Sequence, residues 1–178
     1  MFFPNYGGSG SPWPATIPRV SGRPVRVEFR TSVVDVSGGP AHAATYLRER
    51  RMVIEEALMA DGDEFARIFV HELFHFVWLR LGNGKRRSYE RVVAGELRRG
   101  VRGEMGWSAE SRKRKLAVRD RTARTRKWRD YCCESFCDTA AWLYAGVRGH
   151  GEFTLAKAAR EGRSAWFRRA GLDEGVAI

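Results

Sequence analysis

The sequence predicts an α+β domain, because strand-like segments come first and helix-like segments fill most of the remaining chain. Residues 24–36 are rich in valine and alternate apolar with polar side chains, as a strand with one buried face does. Residues 51–58 are interpreted as a second strand, although their side chains also suit a helix. The long apolar stretches at 63–81 and 130–144 are typical of helices.

The 178 residues, 43% of them hydrophobic, predict one domain with a sizeable core. We assign this domain to residues 24–178 and an irregular arm, rich in Gly, Pro and Ser, to residues 1–23. Two further amphipathic helices are predicted at 88–99 and 153–169, whereas 108–126 is a polar, basic helix or a loop. The C-terminal half is therefore expected to be mainly helical.

The most specific motif is the pentad His-Glu-Leu-Phe-His at positions 71–75, inside the predicted helix 63–81. Residues four apart lie on one face of a helix, so His71 and His75 can present two imidazole nitrogens to one ion. Glu72 lies beside them. This arrangement suits a zinc ion with an open coordination position and a carboxylate that deprotonates water.

Two histidines do not complete such a site, since three protein ligands and a water are usual for catalytic zinc. The best third ligand is Glu134, in the apolar segment 130–144. A carboxylate that faces inward on a mostly apolar helix needs a partner, and a metal ion would be one. Asp138, one turn further on, would accept the free N–H of a ligating histidine. The alternatives for the third ligand are Glu90, Glu96 and His150.

The pentad followed by Glu134-x-x-x-Asp138 resembles the gluzincin clan of zinc metallopeptidases in its compact single-domain form. The resemblance covers chiefly the two motif helices. It implies a zincin-like fold, in which a small mixed sheet packs on the central pentad helix and an edge strand pairs with an extended peptide. It also implies one zinc ion per chain, held by His71, His75 and Glu134, with Glu72 as general base and Asp138 orienting the first histidine.

The pentad, the candidate third ligand and the resemblance to gluzincins together predict a zinc-dependent metallopeptidase that acts on a peptide or protein substrate. Glu72 would take a proton from a zinc-bound water and pass it to the leaving amine. The oxyanion also needs a donor besides zinc. His150, Tyr131 and His42 are the candidates, and the sequence does not choose among them.

Positive charge is concentrated in residues 85–129, which hold 17 Lys and Arg against 5 Asp and Glu, whereas the whole chain has a net charge of +11. Such a segment can contact an acidic partner or nucleic acid, although a solvated helix face is the simpler interpretation. It carries no nucleic-acid motif and few aromatics. It leaves open an alternative function, a DNA-associated regulatory metalloprotein that either cleaves a repressor or binds zinc without catalysis.

The three cysteines, Cys132, Cys133 and Cys137, lie within six positions. Adjacent cysteines are poor disulfide partners, which favours a reducing, cytoplasmic location. Zinc binding and nucleophilic chemistry are open to these thiols, but small buried residues on the Glu134 helix are the expected role. The N-terminus does not have the pattern of a signal peptide, and no apolar run has transmembrane length, so no membrane association is expected.

Overall fold

The structure, a computed structural model, describes residues 13–14, 16–34 and 38–178. Within these ranges it is a mixed α+β fold with six α-helices and three small sheets, which confirms the predicted class. The helices are α1 (Gly62–Arg80), α2 (Asn83–Arg98), α3 (Trp107–Lys113), α4 (Val118–Thr122), α5 (Arg126–Tyr144) and α6 (Lys157–Arg169). The strands are β1 (Val20–Ser21), β2 (Arg26–Arg30), β3 (Val33–Val34), β4 (Pro40–Ala41), β5 (Ala43–Tyr46), β6 (Arg51–Glu55) and β7 (Val176–Ala177). A 3₁₀ helix, Glu56–Ala60, joins β6 to α1.

The main sheet has three strands in the order β2-β6-β5. β2 runs parallel to β6, β5 runs antiparallel to it, and β5 therefore forms one edge. β3 and β4 form a short antiparallel pair. The predicted strand 24–36 is divided between β2 and β3, and its last two positions lie outside the described residues.

Of the predicted arm 1–23, residues 1–12 and 15 lie outside the described residues, and the rest has more structure than the sequence predicts. β1, at its C-terminal end, pairs in parallel with β7 near the end of the chain. The Trp13 ring also packs edge-on against Phe65 and Phe69 of α1, at centroid distances of 5.3 and 5.0 Å. Gly, Pro and Ser lower the propensity for regular structure, but two backbone pairings and one large ring are enough to attach the arm to the core.

α1 is the central helix, and its bounds lie within one residue of the predicted 63–81. The Asp61 side chain caps it by accepting a hydrogen bond from the Glu64 amide at 3.1 Å. The helix contacts β5 and β6 as well as α5, so apolar residues are buried on most of its circumference. Those packed in the core include Phe65, Phe69, Val70, Leu73, Phe74, Phe76 and Val77.

α5 is the second organising helix, since it contacts α1, α2, α3, α4 and α6. It begins at Arg126, four residues before the predicted start, because Thr125 caps it by accepting a hydrogen bond from the Trp128 amide at 3.5 Å. It ends just before Gly146, which adopts φ +79°. None of the described helices is both long and apolar enough to cross a membrane.

Candidate metal centre

Two helices bring three metal-binding side chains together. His71 and His75 project from α1 with ring centroids 5.0 Å apart, and Glu134 projects towards them from α5. Glu134 Oε2 lies 3.2 Å from His71 Nε2 and 4.0 Å from His75 Nε2. The ligand atoms of the three residues all lie within 4.8 Å of one another. Bonds of about 2.0–2.2 Å to a shared tetrahedral ion place its ligand atoms about 3.3 Å apart, so a small inward movement would complete a metal site.

Asp138 holds the first histidine in the orientation that metal binding requires. Its Oδ1 accepts a hydrogen bond from His71 Nδ1 at 2.7 Å, which leaves Nε2 directed at Glu134. The other oxygen, Oδ2, accepts from the Ala109 amide at 2.9 Å. Asp138 is only 2% exposed, so both of its oxygens are satisfied by the protein rather than by bulk water.

Gly106 allows α3 to lie directly against Asp138. A Cβ at this position would be 2.3 Å from the Asp138 carboxyl carbon, far inside van der Waals contact. The absent side chain therefore permits the close approach that brings the Ala109 amide to the carboxylate. No sequence pattern singles out this glycine, because the contact joins segments about thirty residues apart.

Glu72 lies beside the histidines and has one strong partner. Its Oε2 accepts a hydrogen bond from the Thr45 hydroxyl of β5 at 2.6 Å. Thr45 thus ties the edge strand to the pentad and leaves the other Glu72 oxygen without a hydrogen bond from this hydroxyl. Thr45 was not predicted as a site residue, since its contact with Glu72 depends on the packing of β5 against α1.

Arg112 of α3 is a second residue that the sequence analysis missed. Its guanidinium lies 3.0 Å from Glu134 Oε1, whereas the other carboxylate oxygen faces the histidines. The two oxygens of the Glu134 carboxylate therefore have different partners: Oε1 is held by Arg112, and Oε2 is directed at the two histidines. In the sequence, Arg112 is one of many cations in the basic segment and has no distinguishing pattern.

The electrostatics of the cluster favour positive charge at its centre. Burial acts to lower the pKa of both histidines. For His71 the neighbouring Asp138 outweighs burial and raises the pKa well above its usual value. For His75, contacts with Cys133 and nearby carboxylates raise the pKa to about 9. Burial acts to raise the pKa of Glu134, but the histidines and Arg112 lower it to about 2. A bound cation would take the place of the protons that these groups otherwise hold.

The cluster opens into a cleft of about 630 Å³. Glu72, both pentad histidines and Glu134 line it, and β5 forms part of its wall. His42, one of the predicted transition-state donors, also lines the cleft and forms a 2.7 Å contact with Glu55 through Nδ1. The space is large enough for an extended segment of polypeptide to reach the three ligand residues.

The other two predicted donors are not among the residues that line this cleft. Tyr131 is fully buried and donates a 2.6 Å hydrogen bond to Glu104. His150 Nε2 lies 3.2 Å from Glu64 Oε2. Neither placement supports a role as oxyanion donor.

The alternative third ligands also have other partners. Both oxygens of Glu90 accept hydrogen bonds from Arg124 at 2.7 Å. Glu96 is paired with Arg163 at 2.7 Å. These two carboxylates and His150 do not belong to the three-residue clusters of potential metal ligands within the described ranges, whereas Glu134 does.

The basic segment 85–129 extends from α2 into the start of α5 rather than forming one helix. Some of its cations form ion pairs with acidic side chains that are largely buried, as Arg112, Lys113 and Arg124 do with Glu134, Glu104 and Glu90. Others, such as Arg114 and Arg126, point into solvent with side chains 76% and 88% exposed. Part of the positive charge is therefore used inside the fold.

Comparison of the chain with models of known families, with curated proteins and with solved structures finds no match. We therefore infer function from the geometry of the site.

Proposed function

We propose that this chain is a zinc-dependent metallopeptidase of the gluzincin type, with a zincin-like arrangement of sheet and helices. The proposal depends chiefly on one observation. His71, His75 and Glu134, which are distant in sequence, converge within 4.8 Å at the floor of a cleft, with Asp138 bonded to the first histidine. Residues that are merely buried would not need to direct three ligand atoms at one point.

The donor set fits zinc. Two imidazole nitrogens and one carboxylate oxygen are a usual catalytic ligand set for this ion, and the cleft leaves the remaining direction open. When bound, zinc would supply Lewis acidity, which makes water acidic enough to lose a proton near neutral pH and polarises a carbonyl group. The raised pKa values of the histidines and the lowered pKa of Glu134 agree with a site built for a cation.

Glu72 is the proposed general base. It adjoins the first ligand on α1, lines the cleft and is only 9% exposed, so its carboxylate faces the reaction space rather than bulk solvent. The Thr45 hydroxyl holds one carboxylate oxygen, and this orients the other for a water in the cleft. Glu72 would accept a proton from that water and deliver it to the amine of the leaving peptide.

The substrate class follows from the edge of the sheet. β5 ends the main sheet, lines the cleft and contains Thr45, which is bonded to the proposed base. An extended peptide that paired with the outer edge of β5 would pass directly over Glu72 and the ligand cluster. A short edge strand beside a reactive carboxylate therefore favours a peptide substrate over a small compact molecule.

Arg112 is the proposed donor to the oxyanion, in place of Tyr131 and His150. Its guanidinium lines the same cleft and lies 3.0 Å from Glu134 Oε1, on the rim of the ligand cluster. The side chain is 40% exposed, which leaves N–H groups free to approach a substrate oxygen.

The test compares the pentad carboxylate with the ligands. Wild-type protein should contain about one zinc per chain by elemental analysis and should cleave casein or an unstructured peptide. Glu72→Gln should retain the metal and lose at least about 100-fold in hydrolysis, which is the lower range for removing a general base. His71→Ala should lose both metal and activity.

Glu56→Gln, at an exposed site just before α1, is the matched control and should keep wild-type metal and activity. A Glu72→Gln variant that hydrolyses peptide as fast as wild type would refute the mechanism. Protein that binds no divalent ion at the His71 cluster would refute the metal centre itself.

A further inference from the structure

His75 faces potential metal ligands on both sides of its ring. Nε2 points towards Glu134 and His71, as described above. The other nitrogen, Nδ1, lies 3.5 Å from the sulfur of Cys133 and 3.5 Å from the sulfur of Cys137. In most zinc sites this second nitrogen would donate to a carboxylate or a carbonyl, as His71 does to Asp138. Two thiols in that position are a different chemical environment.

The spacing of these three atoms matches a metal site. Metal–sulfur bonds of about 2.3 Å and metal–nitrogen bonds of about 2.0 Å place N and S ligands of a shared tetrahedral ion about 3.5 Å apart. The two observed N···S distances agree with this value, and all three ligand atoms lie within 4.8 Å of one another. Cys133 and Cys137 are four residues apart on α5, so the helix itself presents both sulfurs on one face.

Their position beside His75 also distinguishes these two cysteines from the third. Cys137 is fully buried, whereas Cys133 and His75 are partly exposed, so an ion held by the three would be largely shielded from water. Cys132 is fully buried and does not belong to the metal-ligand clusters found within the described ranges. The adjacent thiol therefore offers an internal control for the same chemistry.

We propose that His75 Nδ1, Cys133 Sγ and Cys137 Sγ form a second metal site, which takes a soft, thiophilic ion such as Cu(I) or Cd(II). Thiolate ligands select such ions over the harder ones that carboxylates prefer. Binding requires no oxidation. Each thiol loses its S–H proton to solvent, the His75 ring binds as neutral imidazole with its remaining proton on Nε2 (an imidazolium ring first releases the Nδ1 proton to solvent), and two S–metal bonds and one N–metal bond form.

The shared histidine makes the two sites dependent on each other. An ion bound to His75 Nδ1 changes the charge and the basicity of the imidazole ring. The same ring offers its other nitrogen, Nε2, to the metal site formed with His71 and Glu134. Binding at one site must therefore alter affinity at the other, and thermodynamic linkage makes this effect reciprocal. The thiolate site does not depend on the proposed peptidase activity, since Glu72 and Arg112 are not part of it.

The experiment uses Cd²⁺ and the full-length, reduced protein. Sulfur-to-cadmium charge-transfer absorption reports only on ions bound to thiolate. Cys133→Ser, Cys137→Ser and His75→Ala should each weaken this binding more than about 10-fold, because even the loss of a residue that supports a ligand costs that much. Cys132→Ser should leave the titration unchanged. Glu134→Gln removes a ligand of the His71, His75 and Glu134 cluster but should keep the sulfur-to-cadmium absorption. Failure of the thiolate site and failure of the peptidase proposal can therefore be distinguished.

Cadmium NMR of the wild-type protein provides a measurement that needs no variant to fold. A resonance in the range of mixed sulfur and nitrogen ligation supports the site. A resonance of nitrogen and oxygen ligation alone overturns it, as would a Cys132→Ser effect equal to that of Cys133→Ser, or a His75→Ala titration identical to wild type.

Discussion

Two groups of buried ionisable side chains in this protein are built on opposite principles. One is the metal-ligand cluster of His71, His75 and Glu134. The other, which we term the Arg163 network, consists of Arg163, Glu96, Glu104, Tyr131 and Lys113. Both lie against α5, but one opens into a cleft and the other is closed inside the core.

The Arg163 network supplies its own counter-charges. Arg163 is completely buried and lies 2.7 Å from Glu96 and 2.8 Å from Glu104. Tyr131 donates to the same Glu104 at 2.6 Å, and Lys113 lies 3.3 Å from it. Two carboxylates thus face two permanent cations. The metal-ligand cluster is balanced only in part: Arg112 holds one oxygen of Glu134, whereas the other oxygen faces histidines whose charge depends on bound protons. We infer that the Arg163 network stabilises the fold, whereas the metal-ligand cluster serves to bind an ion.

The largest expected effect is the loss of the Arg163 network. Arg163→Met would leave Glu96 buried without a cation and Glu104 with Lys113 alone, and should lower the free energy of unfolding by about 3–5 kcal/mol, the usual cost of breaking a buried pair. Urea unfolding followed by circular dichroism measures it. Arg126→Met, which removes an exposed pair with Asp130, is the control and should unfold close to wild type. Equal costs for the two variants would contradict the structural role of the network.

The next effect concerns the support of the metal ligand rather than the fold. Asp138→Asn should weaken zinc binding about 10–100-fold, because the amide holds the His71 N–H less strongly than the carboxylate does. The measurement is competition against a chelator. Asp130→Asn, on an exposed part of the same helix, should bind zinc as wild type does. If Asp138→Asn destabilised the metal-free protein as severely as Arg163→Met, the distinction between the two groups would fail.

The two groups also differ in how far they could be predicted from sequence. The four-residue spacings within each helix place His71 and His75 on one face of α1 and Glu134 and Asp138 on one face of α5, so each half of the cluster follows from local geometry. The resemblance to gluzincins then indicated that the two helices would meet.

Contacts between distant segments were not predictable in this way. Glu104 lies in an irregular segment before α3, and its burial beside Arg163 has no periodic signature. Thr45 and Arg112 enter the cleft for the same reason, through packing of β5 and α3. The start of α5 was missed because basic residues in its first turn resemble a solvated loop, while the cap at Thr125 determines its position.

The pH dependence of stability should carry a contribution from each group in the metal-free protein. The buried Glu104 has a folded-state pKa below its usual value, mainly because Arg163 outweighs the opposing effect of burial. Its stabilisation is therefore present above its unfolded pKa and lost as the pH falls through the lower, folded value. His75 has a raised folded pKa of about 9, so its contribution is present below about 6.5 and lost as the pH rises from there towards 9.

Urea unfolding across pH 3–10 measures both losses of stability, the one towards acid pH (the acid limb) and the one towards alkaline pH (the alkaline limb). Each loss in the free energy of unfolding is expected to be on the order of 1 kcal/mol. Glu104→Gln should reduce the acid limb, to which Glu134 also contributes, and His75→Gln should reduce mainly the alkaline limb. Zinc should also reduce the alkaline limb, since it holds the ligands in place of protons. An alkaline limb that persists unchanged in His75→Gln would show that the cluster does not titrate as its geometry indicates.

The smallest expected effect is that of replacing Arg112. This residue lines the cleft, but like the cations of the Arg163 network it is paired with a carboxylate. Arg112→Gln removes the cation that is paired with Glu134 Oε1. The Arg112 side chain is 40% exposed, so water partly screens this ion pair, and zinc affinity should fall only a few-fold, by less than about 1 kcal/mol. Peptide hydrolysis should fall further than zinc affinity, with the loss in kcat rather than KM, because an oxyanion donor acts in the transition state. Arg114→Gln, nearby and 76% exposed, is the matched control and should change neither quantity. Equal losses of zinc affinity and hydrolysis in Arg112→Gln would make Arg112 a support for Glu134 alone and would refute its role as oxyanion donor.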